Sequence, residues 1–529
     1  VIFFAGSFSF FKNEIAAWQR GVSYAAHTVD NESYDRLIDS LRGEMNLHGR
    51  DISFYIQRPG NAAYVNISAS NDTILNAENL AKLNMQNKTS EKGHGRRGRG
   101  GDSKNFSYDF KTKSSGDYTS NYDMGEFLYR LHFLAQLNQV PIRVGIAPFG
   151  YLIAGLTSFL FLFALITGLM LHWDKIVSNF FVYRPFSKWK TVWTDMHTAL
   201  GVIGFPYQFI YAVTGIVLII NSVLIVPFSK LLYEGKQDEV YQDLGYANSP
   251  QAEYLYTPIS KAIHIADYLT MAENKWPDAK LTQLYIKNYQ DSSMRVVMNF
   301  EPKYGKNFAG SGILDVRVHD QHILSEKSPN TDLTYVDQIR SILYRLHFGD
   351  YGGYPLKIVY FILGVMGCLV IISGILIWLV ARNKNNIPLR KRTFNRWLAN
   401  IFLAICLTML PVTAITFIAI KISSHVNQTF IYNVYFYSWL LFAVYYIIRK
   451  NLGRTNRETL LLGGILAFCV PIANGIITQK WIWKTLINRQ TDLLVVDFLW
   501  LTIAIICLIA YSKTRDFMKT ISSKEAIVK

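Results

Sequence analysis

Apolar runs long enough to cross a lipid bilayer recur along this chain, and nothing else in it limits the fold so tightly. A bilayer core takes about 20 apolar residues of helix, and inside it every backbone polar group must be bonded by protein. Runs at about Ile146–Trp173, His197–Pro227, Leu356–Val380, Trp397–Ile420, Phe430–Ile448, Leu460–Thr478 and Leu493–Tyr511 meet that demand. An opening run, Val1 to about Phe11, stops at Lys12-Asn13-Glu14 and is too short to span alone. It reads as a helix entered part-way, so further residues are expected upstream. Composition agrees: 17% of residues are charged, against about 25% in ordinary soluble domains. The expectation is an all-α polytopic membrane protein with about 8 transmembrane helices.

Two large polar segments, residues 13–143 and 228–354, interrupt the spans. In the first, Leu37, Ile38, Leu41 and Met45 fall at helical spacing, and Ile52–Ile56 and Ala62–Ile67 read as strands around Arg58-Pro59-Gly60-Asn61. In the second, Ile259–Met271 reads as a helix, and Leu281–Ile286, Met294–Phe300 and Ile313–Val318 as strands. Each segment is therefore a small α+β domain. Residues 88–104 are Gly- and Arg-rich with no apolar content, the composition of a solvated, flexible insert.

The net charge of +16 does not point to nucleic acid, because no folded RNA module or aromatic platform accompanies the basic tract. It sorts instead by loop. Arg382, Lys384, Arg390–Arg392 and Arg396 follow span four, Arg449, Lys450, Arg454 and Arg457 follow span six, and Lys513, Arg515 and Lys519 follow span eight. With Lys175, Arg184, Lys188 and Lys190 after span two, these clusters place both termini in the cytoplasm and both polar segments outside. Lys480, Lys484 and Arg489 are the exception. All four cysteines (Cys368, Cys406, Cys469 and Cys507) sit in apolar runs, so no disulfide or zinc spacing exists.

A six-residue motif occurs twice: Leu128-Tyr129-Arg130-Leu131-His132-Phe133 and Leu343-Tyr344-Arg345-Leu346-His347-Phe348. Each copy stands shortly before a long apolar run. Thr167-Gly168 near the end of span two matches Ser373-Gly374 in span four, and Ala5-Gly6 matches Thr214-Gly215. The chain thus repeats a two-span unit, and such repeats place a shared site at their interface. By this correspondence a counterpart of His197 would fall upstream of Val1.

Four histidines lie at span ends: His132 and His347 at one face, His172 and His197 at the other. Ionisable residues at membrane depth are functional more often than not. Facing imidazoles can supply both axial ligands of a haem iron. Gly201 and Gly204 follow His197 on one helical face, where a flat plate could lie on bare backbone. Arg130 and Arg345 stand where they could pair with propionates, and Tyr129, Phe133, Tyr344 and Phe348 could wall the slot. A bare zinc or copper site would need three or four converging ligands. One haem near each end of a span of roughly 33 Å would divide the crossing into steps an electron can make. No Gly-rich phosphate loop follows a strand, so flavin or nicotinamide chemistry must come from another protein.

Trp193–Gly201, Thr214-Gly215, the twin hexamers and Gly6–Glu14 resemble the PepSY-associated transmembrane helix family, iron-uptake-regulated inner-membrane reductases of bacteria. The resemblance covers about Val1 to Arg382. It implies a carrier of two haem b groups that reduces a periplasmic ferric siderophore or other ferric chelate, fed by a cytoplasmic or quinol donor. It makes 13–143 and 228–354 PepSY-like periplasmic domains, 1–12 a truncated first helix, 144–227 spans two and three, and 355–381 span four. His132 and His347 carry over as ligands. The family has a histidine at the start of span one, which this chain lacks; His172, where many members carry an aromatic residue, is the candidate to pair with His197. Residues 397–512 look like the four-helix bundle some members add, a place for a membrane-protein partner, and 513–529 a cytoplasmic tail. Two other readings stay open: a subunit of a larger quinol-linked or respiratory assembly, and a non-redox module binding a peptidase or cell-wall enzyme.

Overall fold

The computed structural model describes residues 1–25, 29–57, 61–79, 103–144, 147–184, 186–187, 189–244, 252–305 and 307–527. The Arg58-Pro59-Gly60 turn and all but the end of the Gly/Arg-rich insert lie outside them. The chain forms two compact units. One holds Val1–Ala25, Tyr122–Val226 and Leu346–Lys529; the other holds Ala26–Asn121 and Pro227–Arg345.

The first unit is helical. It opens with α1 (Ile2–Ser9) and α2 (Lys12–Arg20). The sequence places a boundary at Lys12, and the structure instead starts a second helix there. Lys12, Asn13 and Glu14 form its first turn, while Ile15, Ala17 and Trp18 are buried along one side. The chain continues through α3 (Glu32–Glu44), in the second unit, to α4 (Met124–His132), which carries the first hexamer. Then come α5 (Phe149–His172) and the 44-residue α6 (Trp189–Leu232). After α7 (Ile265–Lys275), also in the second unit, α8 (Tyr335–Phe348) carries the second hexamer. The last helices are α9 (Gly353–Ala381), α10 (Leu389–Ile422), α11 (Gln428–Arg449), α12 (Leu452–Thr478) and α13 (Thr491–Ile527).

Among the described residues, seven helices are long and apolar enough to cross a membrane, and they coincide with the seven full-length runs of the sequence. The eight-residue α1 does not reach that length. This is a multi-pass membrane protein. Its spans leave large side chains such as Leu160, Phe163 and Ile506 on the outside, as lipid-facing surfaces require. Close packing uses small residues: Gly364 and Gly367 of α9 lie against Ser7 and Phe3 of α1.

The second unit is built on one eight-stranded antiparallel sheet in the order β10-β9-β8-β7-β1-β2-β3-β4. Its strands are β1 (Arg50–Gln57), β2 (Ala62–Ser70), β3 (Lys104–Asp109) and β4 (Ser114–Gly116) from the first polar segment. A two-stranded ladder, β5 (Arg143–Val144) with β6 (Ala147–Pro148), belongs to the helical unit. The second polar segment supplies β7 (Ala279–Lys287), β8 (Arg295–Pro302), β9 (Gly312–Arg317) and β10 (Ile323–Lys327). Both segments carry the expected helix-plus-strands plan. They nevertheless share one sheet, because β1 pairs with β7 in the register Ile52↔Ile286 and Phe54↔Leu284.

Alternation explains the single core. Ile52, Phe54, Val65, Ile67, Leu284, Ile286, Val296, Met298, Leu314 and Val316 pack with Leu37, Ile38 and Leu41 of α3 and Ile265 and Leu269 of α7. Asp35 of α3 accepts from the Ile265 and Ala266 amides at 2.7 and 2.9 Å, capping α7 across the two segments. The His319–His322 stretch is the expected strand turn: the Arg317 amide donates to the His322 carbonyl across it.

Candidate functional site

The hexamer at α4 is amphipathic, with Phe127, Leu128 and Leu131 buried. Asp123 caps it by accepting from the Glu126 amide at 2.8 Å. The helix ends at His132, and the imidazole is delivered against α1. There Gly6 leaves the space it needs: a Cβ at Gly6 would lie 2.6 Å from the His132 Nδ1. The second hexamer closes α8, and Gly349 turns the chain at φ +60, a conformation that suits glycine. Thr214 and Tyr211 of α6 receive His347, with the Tyr211 hydroxyl donating to the His347 carbonyl at 2.7 Å.

Hydrogen bonding assigns the tautomers. The His132 Nδ1 is 2.9 Å from the Ile2 carbonyl, which can only accept, so Nδ1 carries the proton. The His197 Nδ1 is 3.0 Å from the Val370 carbonyl, with the Ser373 hydroxyl at 3.1 Å, and the same follows. The His347 Nδ1 is 2.9 Å from the Thr214 hydroxyl, whose own proton goes to the Ile210 carbonyl at 2.7 Å. Thr214 therefore accepts. In all three residues the Nε2 bears the free lone pair and has no hydrogen-bond partner among the described residues. This is the arrangement that orients metal-binding imidazoles.

Two of the three lie close together. The His132 and His347 ring centroids are 6.0 Å apart, inclined at 44°. Burial lowers the pKa of His132, and burial reinforced by His132 pushes that of His347 down to about 3. Both imidazoles are neutral at pH 7, the protonation state a ligand needs. Among the described residues, no group of three His, Cys, Asp or Glu could hold a metal ion.

Residues 1–381 match the PepSY-associated TM region family. The chain belongs to that family. A comparison with curated proteins gives no match. In this PepSY-associated chain the remaining candidates divide. His197, on α6, sits against α9: a Cβ at Gly374 would be 3.4 Å from its Cε1. His172, the last residue of α5, is exposed, with no hydrogen bond or ring contact among the described residues. A Cβ at Gly201 would meet nothing within 4 Å, so the expected open backbone exists there. Gly204 is different, since the Gln208 amide nitrogen would be 2.6 Å from a Cβ at that position. The Gln208 side chain covers it.

Both arginines are engaged by carboxylates of the protein. Arg130 donates through Nε to Glu126 at 2.7 Å, and Glu126 also takes Lys12. Arg345 pairs with Glu301 at 3.2 Å and lies over the Tyr304 ring. Tyr129 carries the Lys12 ammonium over its face and packs edge-on to Phe133, and Phe133 meets Tyr151. Tyr344 is half-buried on α8, and Phe348 packs edge-on against the His347 ring. Sequence reasoning did not find Thr214, Ser373, Gly6 or Gly374 as ligand-orienting positions. Their signal was the repeat itself, which pairs Gly6 with Gly215 and Ser373-Gly374 with Thr167-Gly168.

Proposed function

We propose that this protein carries electrons across the bacterial inner membrane to reduce a ferric siderophore or other ferric chelate on the periplasmic side. The observation that carries the reading is the set of three imidazoles held through Nδ1 with Nε2 unbonded, two of them with ring centroids 6.0 Å apart. His132 and His347 would hold one haem b, and His197 would hold a second, with His172 at the same end of the bundle as its candidate partner. A bound bis-imidazole haem supplies a one-electron iron centre. The chain's own residues do the rest. Ile2, Thr214 and Val370 hold each Nδ1 proton so that Nε2 stays available. Gly6 admits the His132 ring, and the open backbone at Gly201 leaves room beside His197.

From His197 to Thr214 is 17 residues of one helix, roughly 26 Å at 1.5 Å per residue. A cofactor at each end shortens a crossing that one centre could not serve. Glu126 and Glu301 pair with Arg130 and Arg345, the arginines proposed to meet the propionates. A reduced-minus-oxidised spectrum of the purified full chain tests the proposal. Bands of b-type haem are expected, and their absence ends it. Reduction of a defined ferric chelate by the pre-reduced protein then tests the acceptor.

A further inference from the structure

The family match ends at Ala381, and four membrane helices follow it. We propose that this C-terminal bundle is the positioning device of the first histidine: it grips α2 through buried polar bonds and α4 through an aromatic socket, setting where His132 stands. The inference rests on His132 being a site residue, and goes beyond it by giving a role to α10–α13.

The grip on α2 is centred on Trp18, fully buried. Its indole N–H donates to Asp497 Oδ1 at 2.7 Å, and the other oxygen of Asp497 accepts from the Asn474 amide at 3.0 Å. Lys421 of α10 donates to the Trp18 carbonyl and lies over its ring. A carboxylate and an ammonium inside a membrane bundle are retained only where protein groups satisfy them. Here most of those groups belong to α2. Just past α2, the Ser23 hydroxyl and Tyr24 amide donate to Asp492 at 2.5 and 2.6 Å, and Lys480 donates to the Gly21 carbonyl.

From α2 the grip passes to α4. Gln19 accepts from the Met124 amide at 2.8 Å, Arg20 pairs with Asp123 at 2.9 Å, and Lys12 pairs with Glu126. These bonds fix the first turn of the helix that ends in His132. A direct contact reinforces them: Phe127 is fully buried, with its ring 4.7 Å from Tyr435 and 5.7 Å from Tyr432 of α11. The second hexamer has no such socket among the described residues. Ile342, the counterpart of Phe127 in the repeat, is 41% exposed. The bundle thus serves one histidine of the pair.

Hydrogen–deuterium exchange on the full chain in detergent separates the two. In Asp497→Ala, amides of 122–134 are expected to exchange roughly tenfold faster, the scale of losing a buried charge-assisted bond. Residues 335–348 are expected to stay as in the wild type. Should that variant fail to fold, Trp18→Phe removes one donor and should do the same to a smaller degree. Asp497→Asn keeps an acceptor for Trp18 and should restore most of the protection. In haem-loaded protein, Asp497→Ala should convert one low-spin signal to high spin and leave any other. Unchanged exchange at 122–134, or an equal rise at 335–348, overturns the proposal. If the wild type holds no haem, the electron-transfer reading fails while the exchange result still decides this one.

Discussion

One methyl group at either of two glycines gives opposite outcomes at the two ends of the bundle. In Gly6→Ala the new Cβ would lie 2.6 Å from the His132 Nδ1 and 2.8 Å from its Cε1. Neither distance is tolerable, and the ring must leave. Its bond to the Ile2 carbonyl is lost at about 1 kcal/mol, and overpacking adds about 1–3 kcal/mol. Replacing a helical glycine by alanine returns about 1 kcal/mol. The net cost is about 1–3 kcal/mol, with His132 displaced. In Gly374→Ala the Cβ meets the His197 Cε1 at 3.4 Å, close to ordinary contact, so the helix gain of about 1 kcal/mol is nearly kept. Thermal melts of both variants in detergent read the stabilities, and electron paramagnetic resonance reads the axial ligation. Gly6→Ala should melt lower and lose the His132–His347 low-spin signal. Gly374→Ala should melt at or above the wild type with its ligation intact. Equal behaviour of the two, or a Gly6→Ala variant with wild-type ligation, would refute the packing argument.

His347→Ala should remove one haem and leave another, read as the pyridine-haemochrome content per chain; retention of both would show that His347 is not a ligand. Thr214→Val keeps the shape but removes the acceptor for the His347 Nδ1 proton, so the midpoint potential of that centre should shift while Thr214→Ser keeps the wild-type value in a redox titration. Asp337 is the test in the sheet unit. Burial pushes its carboxyl up, but the Lys327 ammonium and the Thr334 and Ser311 hydroxyls outweigh it and hold the pKa at about 2. A depressed carboxylate stabilises the fold above its unfolded value near 3.8, and that stability is lost as pH falls toward about 2. Asp337→Asn should therefore cost about 2 kcal/mol at pH 7 and flatten the melting profile between pH 4 and pH 2.

The spans were legible because lipid demands length and apolarity, and both are local properties. So were β1, β2, β7, β8 and β9, whose apolar residues alternate. Lys104–Asp109 and Ile323–Lys327 escaped notice because each is short and mostly polar. Phe106 is the lone fully apolar residue of the first. The β1–β7 pairing was out of reach for another reason. Both strands are equally good interior strands of separate sheets, and it is their pairing over the shared core under Ile52 and Ile286 that joins them. At the site, the repeated hexamer singled out the histidines, while the arginine partners were not legible. Arg130 meets Glu126 one helical turn away, a pairing the sequence permits, but Arg345 meets Glu301, which only the fold brings near.

The two hexamers are identical in sequence and differ in what secures them. The helix ending in His132 is short, and its first turn is tied to α2 through Asp123, Glu126 and the Met124 amide. The helix ending in His347 is longer, and its first turn is tied through Asp337 to Ser311 and Lys327 beside the sheet. Repeats that keep a ligand and exchange its anchorage let the two sides of one site be adjusted separately. Here three histidines on three helices each spend one nitrogen on a neighbouring helix and leave the other free. Two of these nitrogens belong to rings whose centroids are 6.0 Å apart. Imidazoles held through Nδ1 in this way present Nε2 to an incoming metal, which is what supports the proposed haem ligation.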